Sequence, residues 1–293
     1  MPRKIRRSVV PAVLGLLAQA GCGGGGASPT DAAVIDPDGD SPDATETGPT
    51  VSHCPTTLTG PSLVKIRWDE GIAFCIDSTE VTNADYATFL AAAVSPATGQ
   101  NARCAWNATF TPETKSTNGP ACPAFDATGR PDYPVVCVDW CDADAYCRWA
   151  GKRLCQQPGG GAVTNWSSIN GSEWVIACDA DTAMPYAYGA SATAGRCVDN
   201  KYPATTPGVR PAKEATTCEG GATGLFDMGG NAAEWQDDCV EQSTDGKEDA
   251  CSPLGGSFAT DPVNTGCHDG APFFRNQVAG DTGFRCCTDA QFF

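Results

Sequence analysis

One stretch concentrates groups that could hold a cation: Gly224-Leu225-Phe226-Asp227-Met228-Gly229-Gly230-Asn231-Ala232-Ala233-Glu234-Trp235. Glycine reaches φ > 0 and Asn tolerates the left-handed region, so Gly229-Gly230-Asn231 reads as a tight turn. Asp227 and Glu234 place carboxylates on either side, and such a turn can aim backbone carbonyls inward. Oxygen donors of that kind suit a hard cation such as calcium. The alternative is a turn held by its own hydrogen bonds. A second set lies downstream: Ser257, then Cys267 beside His268, then adjacent Cys286 and Cys287. A thiol next to an imidazole can be activated as a nucleophile. The competing expectation is that Cys267 pairs with Cys286 or Cys287 as a disulfide. Cys286 and Cys287 read as two separate structural bridges before a redox vicinal pair, and Ser257 has no triad partner visible in sequence.

Few elements are available to position these groups. Residues 74–77 read as a short strand, after which Thr82 at N-cap and Asp85 at N3 open a helix in a capping-box arrangement. Tyr86, Phe89 and Leu90 fall at i, i+3 and i+4 and give it one buried face. Residues 95–133 read as irregular, stapled through Cys104 and Cys122. Residues 133–138, Tyr-Pro-Val-Val-Cys-Val, read as strand-like. Asp139 then caps a second helix with Asp142 at N3, and Gly151 fits its C′ position. A third, short helix holds Glu173, Trp174 and Ala177 after a Gly-rich insertion at 158–171. From Tyr186 onward the pattern is turns, short strands and cysteines.

The 293 residues fit one large domain or two small ones. With 33 Gly and 22 Pro, the composition is that of a loop-rich domain. The formal charge is −16, and setting aside Arg3, Lys4, Arg6 and Arg7 leaves 15 basic against 35 acidic residues. That surface excludes nucleic acid as a natural partner and suits cations better. Seventeen cysteines point to an oxidising compartment, where disulfides are their main role. No Cys-x-x-Cys pair occurs, and His53 and His268 are the only imidazoles, so a His-rich metal site cannot be built.

Residues 1–21 carry a basic start and a short apolar run, the pattern of a signal peptide rather than of a spanning helix. Gln19-Ala20-Gly21-Cys22 resembles a bacterial lipobox, which predicts a lipid on Cys22 and attachment to a membrane. Gln19 departs from its aliphatic preference, and Arg6-Arg7 hints at twin-arginine export. Gly23 is not an inner-membrane retention signal, so the expected location is the bacterial cell envelope, at the outer membrane or the periplasm and cell surface. Residues 22–53 are Gly-rich and then acidic, too polar to bury a core, and are expected to be a disordered tether. The folded domain is expected over 54–293.

Several segments together resemble the formylglycine-generating enzyme, or sulfatase-modifying factor, family. They are Phe74 to Asn83, Tyr133 to Leu154, Glu173-Trp174, Tyr186 to Gly189, 224–235, Gly255-Gly256-Ser257-Phe258 and the closing Gly283-Phe284-Arg285. The resemblance covers 54–287 in order. It implies an α+β, C-type-lectin-like fold that is loop-rich, with short helices and strands. It also implies structural calcium, with ligands at the Asp227 and Glu234 side chains and the Gly230 and Ala232 carbonyls. A first calcium site is implied near Asp199-Asn200. Family enzymes oxidise a substrate cysteine with copper(I) on two cysteines beyond the Gly-Gly-Ser turn. Here those positions are Thr260 and Thr265, Ala233 replaces a Trp, and Leu254 replaces an Arg, so the copper route reads as lost. Three functions follow from the sequence: a surface module that binds a glycan or peptide, an oxidoreductase with an altered site at Ser257, Cys267 and His268, or a structural envelope protein.

Overall fold

The computed structural model describes residues 52–69, 72–163, 171–180 and 184–292. The segments read as a signal peptide, as a lipobox with Cys22 and, nearly all of it, as a tether lie outside the described residues, as does most of the expected insertion (164–170). One part of the tether reading changes. β1 (Ser52–His53) is already a strand, paired antiparallel with the last strand, β10 (Gln291–Phe292).

The central sheet is antiparallel, in the order β2 (Leu63–Asp69), β3 (Ile72–Asp77), β9 (Cys286–Asp289) and β4 (Arg153–Leu154). Outside it, besides the β1–β10 pair, are two small pairings among β5 (Ala233–Trp235), β6 (Ala250–Cys251), β7 (Phe273–Phe274) and β8 (Thr282–Phe284). β5 pairs β8 in parallel, and β6 pairs β7 antiparallel.

The helices form where local chemistry demands them. α1 (Asn83–Ala91) starts with a full capping box between Thr82 and Asp85, and α2 (Pro96–Gly99) is a single turn. α3 (Trp140–Trp149) starts with a capping box between Asp139 and Asp142, and Gly151 follows its C-cap at φ 75°. α4 (Glu173–Asp179) is capped by the Ser172 hydroxyl. Tyr86 of α1 stacks on Tyr146 of α3, Phe89 meets the same ring edge-on, and the two reach Phe284 and Phe110 respectively in one buried cluster. Trp174, Val175 and Ile176 of α4 pack with Phe74, Ile76 and Leu225 in a second cluster.

The strand expected over 133–138 does not form. Pro134 has no N–H to give a ladder, and Cys137 sits at φ 62°, which no strand tolerates. The segment is instead tied singly: the Val135 N–H donates to the Val81 carbonyl and the Cys137 N–H to that of Ala279.

All sixteen cysteines from Cys54 to Cys287 are disulfide-bonded, in eight pairs. The long irregular loop is stapled by Cys104–Cys141 and Cys122–Cys137. Cys286 and Cys287 form two separate bridges, to Cys147 and Cys155, which lash β9 to α3 and to the chain after β4. The expected pairing of Cys267 with either of them is therefore corrected: its partner is Cys178, at the end of α4.

Candidate functional site

The turn at 229–231 is built as its residue types require. Gly230 has φ 77°, and a Cβ there would lie 2.6 Å from the Val198 carbonyl oxygen. Asn231 follows at φ 58° and is buried. Its N–H donates to the Val198 carbonyl, its Nδ2 donates to Glu80 Oε1, and its Oδ1 accepts from the Arg210 N–H. The Gly230 N–H donates to Gly255 and the Phe258 N–H donates to Asn231. The first glycine turn thus braces the second, at 255–258.

The two carboxylates flanking the turn are buried. Glu234 accepts both Nε and Nη2 of the buried Arg285 at 2.7 Å, and Trp174 Nε1 at 2.7 Å. Asp227 accepts the Lys213 N–H at 2.7 Å, and its backbone holds φ 59°. A third carboxyl, Glu80, joins them. Its Oε2 is buried with no hydrogen-bond partner. Burial, reinforced by the charge of Asp227, raises the Glu80 pKa well above the carboxylate range, and burial raises Asp227 to about 6. Glu80 is therefore held as the neutral acid, Arg285 pairs with Glu234, and Asp227 is the carboxyl left without a cationic side chain bonded to it. In donor type these oxygens suit a hard divalent cation, although both Glu234 oxygens already accept from Arg285. Among the described residues, neither Asp227 nor Glu234 belongs to a cluster of three close metal-ligating side chains, so an ion here would rely on backbone carbonyls. The cluster that does exist, Cys155, Glu173 and Cys287, offers no thiolate, because its two cysteines are bonded to each other.

The second glycine turn opens onto a cleft of about 350 Å³, lined among others by Ser257, Thr260, Asn264, Asp269, Phe273 and Asp281. Ser257 is buried and donates to Asp281 Oδ2 at 2.8 Å, while its N–H donates to Thr260 Oγ1. Burial raises the Asp281 pKa, and the Ser257 hydrogen bond opposes that shift. Thr265 is buried, with its hydroxyl donating to the Pro262 carbonyl.

The residues that the sequence grouped as an altered active site have different partners in the structure. Ser257 lies in the cleft with a carboxyl partner. Cys267 is in a disulfide and cannot act as a thiolate nucleophile. His268 lies 3.5 Å from Asp179 Oδ2. The sequence reading missed Glu80 and Arg285 as partners of the carboxylate turn. Both stood inside recognised motifs, but nothing in their spacing assigns the contact. Asp269 and Asp281, which line the cleft, carried no local signal.

Residues 68–290 match the sulfatase-modifying factor enzyme 1-like domain. The chain belongs to the sulfatase-modifying factor family. Two curated relatives are formylglycine-generating enzymes. That of Streptomyces coelicolor is 32% identical over 191 residues, 56% of this chain and 55% of that protein. That of Bos taurus is 28% identical over 185 residues, 55% of this chain and 45% of that protein. The chain therefore spans about half the length of the curated relatives it matches. Among solved structures, CarF aligns with a TM-score of 0.51 at 16% identity, covering 80% of this chain and 97% of that one. PvdO from Pseudomonas aeruginosa aligns at 0.49 and 19%, covering 82% and 92%. The architecture is the family's C-type-lectin-like α+β fold, with short helices, short strands and many disulfides.

Proposed function

We propose that this chain carries an exported, lipid-anchored member of the sulfatase-modifying factor family that binds a polar ligand and does not oxidise cysteine. The observation that carries the reading is the state of its sulfur. Copper(I) is a soft ion that selects thiolates. At the positions where the resemblance puts the family's copper cysteines stand Thr260 and Thr265, whose hydroxyls are hard donors already engaged with protein partners. Every described cysteine is in a disulfide, which is not a thiolate. The residues present do not fit copper(I).

What the turn keeps is a cleft of hydroxyls, an amide and two carboxylates on a disulfide-stapled scaffold. A rigid fold presenting polar loops suits recognition of a glycan or a peptide. Eight disulfides support an oxidising compartment, in keeping with a lipid on Cys22 at the cell envelope. The same reading gives the first glycine turn a structural calcium ion. Asp227, Glu234 and the Gly230 and Ala232 carbonyls would hold it, and it would balance the charge left beside Glu80.

The test is alkylation of the native exported protein without reduction, followed by digestion and mass spectrometry, alongside titration with copper(I). We expect no label on residues 54–287 and no stoichiometric copper. Label on Cys267 or Cys178, or one tightly bound copper(I), would overturn the proposal in favour of an oxidoreductase.

A further inference from the structure

We propose a second subsite, on the far side of the 257–260 turn from the cleft, shaped for one neutral sugar ring. The two together would make the ligand an uncharged oligosaccharide. The inference rests on the binding-module reading and names its ligand class.

The second pocket has a volume of about 240 Å³, and its lining includes Asn200, Tyr202, Thr206, Pro207, Phe258 and Ala259. That is below the roughly 300–1,000 Å³ of sites for drug-sized molecules, and suits a single ring. Its chemistry is mixed in a particular way. Tyr202 and Phe258 supply aromatic surface, while Asn200 and Thr206, both exposed, supply an amide and a hydroxyl. A pyranose has the same division, an apolar C–H face and a polar edge. The exposed amide and hydroxyl can exchange hydrogen bonds with a ring's hydroxyls, which a purely apolar side chain does not offer. No Lys or Arg lines either pocket, so an anionic ligand finds no counter-charge. The one carboxylate in the second pocket, Asp199, is turned to the wall. Its two oxygens accept the Gly195 and Lys201 N–H groups and hold the loop in place.

The pocket is fixed before any ligand arrives. Phe258 packs against Val198 and Cys197 in one buried cluster and against Val136 and Ala232 in another. The Asn200 N–H donates to the Thr260 carbonyl, joining the pocket wall to the turn. Such preorganisation lowers the ordering cost of binding. The two sites are separated by one β-turn, closed by the Thr260 N–H on the Ser257 carbonyl. Ser257 and Thr260 face the first cleft, while Phe258 and Ala259 face the second. Residues consecutive in the chain thus line both pockets, so one oligosaccharide that crosses the turn can place a ring on each side.

The test uses calorimetric titration of the mature domain with neutral hexose and N-acetylhexosamine oligomers of one to four rings. We expect at least one series in which two rings bind about tenfold more tightly than one. Ala259→Trp, at an exposed position, places an indole in the second pocket and should abolish that gain, so that two rings bind no more tightly than one. Phe258→Ala should do the same if it folds, and melting curves check this. Binding that ignores Ala259→Trp, or no binding by any neutral oligomer, overturns the inference. A peptide competing at the cleft would then keep the module reading alive, whereas free thiols or bound copper(I) would remove that reading as well.

Discussion

The Cys178–Cys267 bridge allows the sharpest perturbation, because the same sulfur was the nucleophile of the competing enzyme reading. Cys178→Ala/Cys267→Ala removes a link across 89 residues of sequence. The chain-entropy relation gives about 4.6 kcal/mol for a loop of that length. Two inner bridges, Cys197–Cys218 and Cys239–Cys251, span 21 and 12 residues and already shorten this loop in the unfolded chain. With roughly 60 effective residues the figure falls to about 4.2 kcal/mol. Both cysteines are buried, at 1% and 0% exposure, so truncation also leaves two small voids, worth roughly 1 kcal/mol more. The expected loss is about 5 kcal/mol, or about 10–20 °C in Tm for a domain of this size. Guanidinium and thermal melts measure it, after non-reducing mass mapping has shown the other seven bridges intact. Ligand binding at the cleft should survive below the new Tm. A loss under about 1 kcal/mol would mean that the bridge contributes nothing in the native protein. The reasoning on the state of Cys267 would then fail with it.

Other consequences can be checked with the same melts. Arg285→Met strands Glu234 as a buried charge held only by Trp174 Nε1, and should cost about 3–5 kcal/mol, part of it recovered by adding Glu234→Gln; a single-variant cost near zero would show that the pair is not buried as described. Burial raises Asp139 to about 7, against an ordinary carboxylate value of 3.8, so between those values the native state binds more protons than the unfolded chain. Stability from this group is full below about pH 4 and is lost as pH rises toward 7, and Asp139→Asn, which keeps the Oδ1 cap on the Asp142 N–H, should flatten that slope. An unchanged slope would rule out Asp139 as its source. If the first glycine turn holds calcium, calcium at 100 times its Kd should stabilise the chelator-treated domain by about 2.7 kcal/mol, and Asp227→Asn should shrink the effect. A domain whose Tm ignores both chelator and calcium has no such site.

The elements legible in the sequence were those whose causes are local. Thr82 with Asp85 and Asp139 with Asp142 are reciprocal caps three residues apart, so α1 and α3 began where the sequence placed them. Gly151 and Gly230 needed no partner to declare a positive φ. The strand expected at 133–138 failed for the opposite reason. Its run of apolar residues was compatible with a strand, but Pro134 offers no donor and Cys137 is held at positive φ while bonded to Cys122. The ordered motifs carried the family and its fold, because a set of short matches in sequence order constrains the topology that no single match does.

By itself, then, the sequence determined the caps, the glycine turns, the family and the presence of enough cysteine for eight bridges. Tertiary structure decided who meets whom. Cys267 found Cys178 and not its near neighbours, Glu234 found an arginine 51 residues away, and Ser257 found Asp281. A pairing across dozens of residues is fixed by how whole elements pack, and loop-closure entropy rises too slowly with length to favour one distant partner over another. The cleft and its neighbouring pocket share the wall of a glycine turn that a second one, distant in the chain, braces through Gly230, Asn231, Gly255 and Phe258.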